Sequence, residues 1–278
     1  MGAIVRALGE LHSSSVDTHP SPLLPVAAEE DIPIPGHTPL RGNGTAAQGV
    51  AGVRDDVGVS GIDWDHNGFY HRLLLRQLPH RCERALDVGC GAGSFATKLA
   101  GPVEHVDALD RSPVMIDAAR ALTPGNVTCL IGDFLGYEFA DESYDAIFSL
   151  SALHHMALED ALPRMATALR PGGVLAAIAL PRIDLPREIP VELVAAPGYR
   201  LLGLAFAAAR RAGRGQWYQR ESSHEAMPIV LDPSLTTRSV RTTATSVLPG
   251  AHVRRLVFWR YLLTWRKPTQ IARSADGA

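Results

Sequence analysis

The sequence predicts an α/β fold of the doubly wound kind, a seven-stranded and mainly parallel sheet with helices on both faces and an inserted helical cap. Three observations predict it. From residue 84 onward, short apolar strands alternate with helical segments, which is how a covered parallel sheet reads. A glycine string, Gly89-Cys90-Gly91-Ala92-Gly93, follows the first strand and opens a helix. The chain has 278 residues, 46% apolar and 20% charged, an ordinary globular composition with enough material for a large core.

Each element has its own signal. Asp65 is positioned to cap a helix over His66–Leu78, with Phe69, Tyr70, Leu73, Leu74 and Leu78 on one face, and Pro79 stops it. Arg84–Val88 is a short apolar strand, Ser94–Leu99 a helical start, and His105–Leu109 a second strand ending at Asp110. Ser112-Pro113 reads as an N-cap with Pro at the first helical position, opening a helix through Leu122. Val127–Ile131 and Tyr144–Leu150 are the third and fourth strands. Leu158–Leu169 reads as a helix against which Pro163 argues, Arg170–Gly173 as a turn, and Val174–Leu180 as a buried strand. An insert follows, and then a helix over Pro233–Val247. His252–Arg260 and Tyr261–Arg266 are two adjacent strands or one bent strand. Five or six parallel strands are expected, with one antiparallel strand near the C-terminal end.

The first 60 residues differ. They hold eight Gly, six Pro and no aromatic residue, too little apolar surface to offset ordering entropy. They read as a disordered extension (1–60), with Ile4–Leu11 a candidate short helix. The expected domain is 61–268, with 181–232 an acceptor-binding cap and 269–278 a tail.

Charge excludes some functions. Lys+Arg 27 against Asp+Glu 29 gives a net charge of −2, with no global pull on nucleic-acid phosphates. Met1–Leu11 lacks the basic start and long apolar stretch of a secretion signal, and Arg6 breaks the myristoylation pattern. No apolar run reaches about 18 residues. Cys82, Cys90 and Cys129 form neither a disulfide framework nor a CxxC pair. A cytoplasmic protein without stable membrane insertion, monomer or homodimer, is expected.

The chemistry centres on Asp87-Val88-Gly89-Cys90-Gly91-Ala92-Gly93. Glycines let a loop turn tightly and touch a ligand, and a helix start behind it offers amide donors. Asp110 ends the next strand, where an acid can accept from both ribose hydroxyls. Gly132-Asp133-Phe134 follows the third strand. There an acid can accept from an exocyclic amine while the apolar neighbour packs on the ring. The fourth strand runs out through Ser149-Leu150-Ser151-Ala152-Leu153-His154-His155-Met156.

These segments together resemble a class I S-adenosylmethionine-dependent methyltransferase, most similar to the small-molecule branch that includes the ubiquinone/menaquinone-biosynthesis type. The resemblance spans about Asp63–Lys267. It rests on ALDVGCGAGSF (85–95), VDALDRSPVMIDAAR (106–120), IGDF (131–134), SYDAIFSLSALHHM (143–156) and LRPGGVLAAI (169–178). It implies S-adenosylmethionine as cofactor, its methionine part held by the loop through Asp87, Gly89, Cys90, Gly91 and Gly93. It implies Asp110, with Arg111 beside it, at the ribose. Met115, Asp133 and Phe134 go to the adenine, Ser149 and Leu150 near the sulfonium, and Tyr70 over the amino-acid end. Ala92 departs from a frequent Thr.

The implied reaction is SN2 methyl transfer to a small, hydrophobic acceptor, without metal. His154 and His155 lie where the acceptor should bind, and one can act as general base, with His154 the favoured choice. The blander reading has His155 capping the next helix and His154 packing. Cys90 reads as buried filler, and Trp259 and Trp265 as structural. Trp217, Tyr218 and His224 are near the acceptor or packed. The apolar stretch 191–210, interrupted by Pro197, Gly198 and Arg200, reads as cap rather than membrane helix. Two other functions compete: a pericyclase, cyclase or accessory protein that binds the cofactor without transfer, and a nicotinamide dehydrogenase.

Overall fold

A computed structural model describes residues 64–184, 189–213 and 233–269. The segment 1–60, Trp217, Tyr218, His224 and the end of the tail lie outside them. Helix α1 (His66–Leu75) is capped by Asp65, whose side chain accepts from Asn67 N–H at 2.9 Å. Then come β1 (Arg84–Val88), α2 (Ser94–Leu99), β2 (His105–Asp110), α3 (Pro113–Leu122), β3 (Val127–Ile131) and β4 (Tyr144–Leu150). A 3₁₀ turn (Leu153–His155) precedes α4 (Leu158–Ala168) and β5 (Leu169–Ala179). The cap helix α5 (Ile189–Arg211), α6 (Thr237–Val247), β6 (His252–Leu256) and β7 (Arg260–Arg266) complete the order.

The seven strands form one sheet in the order β3-β2-β1-β4-β5-β7-β6. β1 to β5 pair in parallel, β7 runs antiparallel to β5, and β6 runs antiparallel to β7. Six strands therefore point one way and β7 the other. Strand residues alternate between two cores, as a period of two requires. Ile147 packs toward α4 and α6 with Leu162, Met165 and Val240. Ala146 and Phe148 pack toward α1, α2 and α3 with Leu74, Phe95 and Ile116. β1 sits where the strand order reverses, with β2 on one side and β4 on the other. The carboxyl ends there open a crevice.

Some boundaries differ from expectation, each for a local reason. α1 ends at Leu75, and after Arg76 two residues tighten into i→i−3 bonds (Gln77 N–H to Leu74 O, Leu78 N–H to Leu75 O) ahead of Pro79. Pro163 lies on the exposed face of α4, where water can serve the carbonyl that its missing N–H leaves free. Residues 170–173 are not a separate turn but an irregularity within β5. Tyr144 pairs with Leu169 and Ala146 with Val174, and Lys267 exchanges backbone bonds with Gly172 and Gly173. α6 starts at Thr237, because the residues before it are extended: Leu235 accepts from Arg182 N–H, and Thr236 caps the helix through Ser239 N–H. β6 and β7 are a hairpin, not one bent strand. Its turn holds Phe258 and Trp259 at φ 55° and 58°. Among the described residues no helix is long and apolar enough to cross a membrane.

Candidate active site

The glycine loop is held by its own backbone. The amides of Gly89 and Cys90 donate to Leu109 O at 2.8 and 3.0 Å, and Gly93 N–H donates to Cys90 O. Gly91 N–H donates to the Asp110 carboxylate at 2.9 Å. These donors are thus satisfied internally. The loop itself offers a ligand close approach, whereas the amide donors of the helix start behind it belong to the first turn of α2, ahead of the bond from Thr97 N–H to Gly93 O. Gly89 shows why glycine is needed: its φ is +73°, and a Cβ there would sit 2.2 Å from the Cβ of Ala152.

Behind the loop lies an unusual carboxylate. Asp87 is 1% exposed, and neither of its side-chain oxygens has a hydrogen-bond partner. Burial first, and the nearby Asp110 charge second, push its pKa up to about 7. A buried acid with two unused acceptors beside a tight loop fits the cationic amino-acid end of an adenosyl sulfonium.

Asp110 joins the loop to the next strand. One carboxylate oxygen accepts from Gly91 N–H and the other from Ser112 N–H, each at 2.9 Å. A carboxylate has about four acceptor positions, so lone pairs remain for ribose hydroxyls. Ser112 caps α3 through Met115 N–H, which brings Met115 onto the crevice. Across from it stand Asp133 and the buried Phe134, and Asp133 accepts from Leu135 N–H at 2.9 Å. Arg111 lies exposed at the rim.

The exit of β4 forms the far wall. Leu150, Ser151, Ala152, His155 and Met156 line the crevice there. Ser151 adopts φ 59°, and its hydroxyl donates to Asn67 Oδ1 at 2.8 Å, which ties α1 to this wall. His154 and His155 stack with centroids 4.0 Å apart. His155 faces the crevice, whereas His154 turns behind it, its Nδ1 buried without a partner. Burial, then His155, then Arg260 push the His154 pKa down to about 3. Burial and Arg111 also lower that of His155. Neither caps α4, whose N-cap is Ala157.

Of the residues that the sequence singled out, Gly89, Asp110, Arg111, Met115, Asp133, Phe134, Leu150 and His155 line the crevice. Asp87, Cys90, Gly91, Gly93 and Ser149 sit in the loop or strand end behind it, and the buried Ser149 hydroxyl has no partner. Tyr70 packs away from the lining, 3% exposed, and its hydroxyl donates to Val257 O in the β6–β7 turn. Sequence reasoning missed Asn67, Ser151 and Ala152 as lining residues. Their only signal was proximity to the helix cap and the strand exit. The three cysteines are free, and the described residues hold no cluster suited to a metal.

The helix tied to this wall through Asn67 also carries Phe69, part of an aromatic cluster. Phe69, Tyr199, Phe206 and Phe258 surround Trp64, with ring centroids 5.3–5.5 Å from it. The cluster joins the chain before α1, the cap helix α5 and the hairpin turn.

Comparison with known proteins agrees with this geometry. Residues 85–173 match the family described as Methyltransferase domain. Uncharacterized methyltransferases of Mycobacterium bovis and Mycobacterium tuberculosis are each 32% identical to this chain over 209 residues, covering 74% of it and 98% of their own length. A chain of the Haloferax volcanii complex containing the Trm112 methyltransferase activator shares the fold. Its TM-score is 0.50 at 18% identity, covering 72% of this chain and 90% of that one. With the loop, the paired acids and a relative matched over nearly its whole length, the chain belongs to the methyltransferase family, and its methyl donor is S-adenosylmethionine.

Proposed function

We propose that the chain transfers a methyl group by SN2 displacement to a small, hydrophobic organic acceptor of the kind handled by the ubiquinone/menaquinone-biosynthesis branch. One observation carries this reading. Residues from separate motifs converge on a single crevice, and one wall of it is tied through Asn67 to the helix that carries Phe69 of the aromatic cluster.

When bound, the sulfonium supplies an electrophilic methyl group, so the protein's main task is alignment and exclusion of water. Such positioning is worth on the order of 7–11 kcal/mol. Asp110 holds the ribose through its remaining lone pairs. Asp133 receives the adenine amine, and Met115 and Phe134 pack on the ring. Asp87 balances the ammonium from behind Gly89–Gly93. Ser149 and Leu150 border the sulfur, and Tyr70 supports this end through the hairpin turn. His155, neutral at pH 7 and facing the crevice, takes a proton from the acceptor. His154 fixes its orientation by stacking. The catalytic domain is 61–268, its 181–232 insert covers the acceptor, and the protein acts in the cytoplasm on a small molecule rather than on nucleic acid.

Methyl-labelled S-adenosylmethionine incubated with candidate quinols, phenols and acids tests the reading, alongside calorimetry with S-adenosylhomocysteine. Label transfer to at least one acceptor is expected. Tight cofactor binding without transfer to any acceptor would overturn it in favour of a cyclase or accessory role. NADH displacing S-adenosylhomocysteine would point to a dehydrogenase.

A further inference from the structure

We propose that Arg260 is an anion-binding post of the acceptor site, and that the acceptor carries a carboxylate. Arg260 is the first residue of β7. Because Tyr261 pairs with Ala179, the last residue of β5, Arg260 stands just beyond the carboxyl end of β5, at the sheet edge that holds the crevice. β7 lies two strands from β4, roughly 10 Å away, on the side opposite β2 and β3. The adenosyl-binding acids are on β2 and after β3. Arg260 is therefore placed on the acceptor side.

Its guanidinium is poorly served. Nε is buried without a partner, and one terminal nitrogen makes only a long bond to Trp259 O at 3.4 Å. Among the described residues no carboxylate comes within ion-pair distance. Asp65 acts on it at longer range, Arg255 opposes it, and its charge reaches Tyr70 and His154. Arg255 is held close by its bond to Arg260 O at 2.9 Å. A half-buried guanidinium whose Nε has no partner is better served once an anion enters, and the planar fork suits a carboxylate. The turn that leads into Arg260 carries Phe258 and Trp259, which belong to the aromatic cluster with Trp64 and Phe69. The ligand this arrangement fits has an aromatic or acyl body and one carboxylate. The inference rests on the methyl-transfer reading only in calling that ligand the acceptor.

The test uses the full chain saturated with S-adenosylhomocysteine. It is titrated calorimetrically with benzoate, 2-naphthoate and decanoate, each against its neutral amide. At least one carboxylate is expected to bind tenfold or more tightly than its amide. Arg260→Gln should erase that preference and Arg260→Lys should keep part of it. Thermal melts check folding, and S-adenosylhomocysteine affinity should stay within twofold in both variants. No carboxylate preference, or a preference that survives Arg260→Gln, overturns the proposal. So does Arg260→Gln weakening S-adenosylhomocysteine but not 5′-methylthioadenosine, which would put the cofactor's own carboxylate on this residue. Failure of wild-type protein to bind S-adenosylhomocysteine at all would instead overturn the methyl-transfer reading.

Discussion

The adenosyl side and the acceptor side of the crevice are built by different means. On the adenosyl side, backbone turns do the holding. Gly89 and Cys90 hang from Leu109, Gly91 and Ser112 from Asp110, and Leu135 from Asp133. These contacts either join one β-turn-α unit to the next strand or span two residues of one turn. On the acceptor side the contacts are between side chains that start far apart in the chain: Trp64 with Tyr199 and Phe206, Phe69 with Phe258, Ser151 with Asn67. A ligand half shared by a whole family can be held by backbone, whereas a half particular to one enzyme is shaped by long-range packing.

Four substitutions sharpen that contrast. The largest effect is expected from Gly89→Ala. The added methyl meets Ala152 and the positive φ is strained, each costing about 1–3 kcal/mol. Calorimetry should find S-adenosylhomocysteine binding reduced roughly 100-fold or more by these combined terms. Next is His155→Ala, on the acceptor side. Turnover should fall roughly 100-fold, within the usual range for a lost general base, with cofactor affinity unchanged. The lowered pKa of His155 places the acid limb of wild-type activity below the usual histidine range, since turnover falls as the imidazole protonates. That limb should vanish in the variant. A fully active His155→Ala would return the residue to packing.

Asp110→Asn should weaken S-adenosylhomocysteine binding by about 1–3 kcal/mol, because the amide loses acceptor positions toward both ribose and loop. Unchanged affinity would remove Asp110 from the ribose. The smallest effect is a proton. Asp87 in the free protein has its pKa raised to about 7, and an ammonium beside it lowers it again. Binding near pH 7 should then release a proton, measurable by calorimetry in buffers of different ionisation enthalpy, and Asp87→Asn should abolish this. The same shift predicts a slope in stability. The folded acid holds its proton above the ordinary value of 3.8, so stability falls as pH rises from there through about 7. Asp87→Asn should flatten that slope in urea titrations.

The same contrast explains what could be read in advance. The strands from β1 to β4, the Ser112 cap and the Asp87–Gly93 loop were legible because hydrophobic period, capping chemistry and glycine spacing act over a few residues. That Leu109 and Asp110 take the glycine loop's own amides has no local signal. The bond from the Tyr70 hydroxyl to Val257 O, 187 residues away, has no local signal either. His154 and His155 are adjacent in sequence, and only the 3₁₀ turn at Leu153–His155 decides which one faces the crevice. Arg260 carries no signal at all, because an arginine at a strand start looks solvated until the hairpin and α1 close around it.

A crystal structure with S-adenosylhomocysteine tests the central claim most directly. The account predicts adenine between Met115 and Phe134, ribose hydroxyls on Asp110, and sulfur near Leu150 with open space toward His155. A ligand bound elsewhere, or a crevice filled by the chain's own side chains, would contradict it.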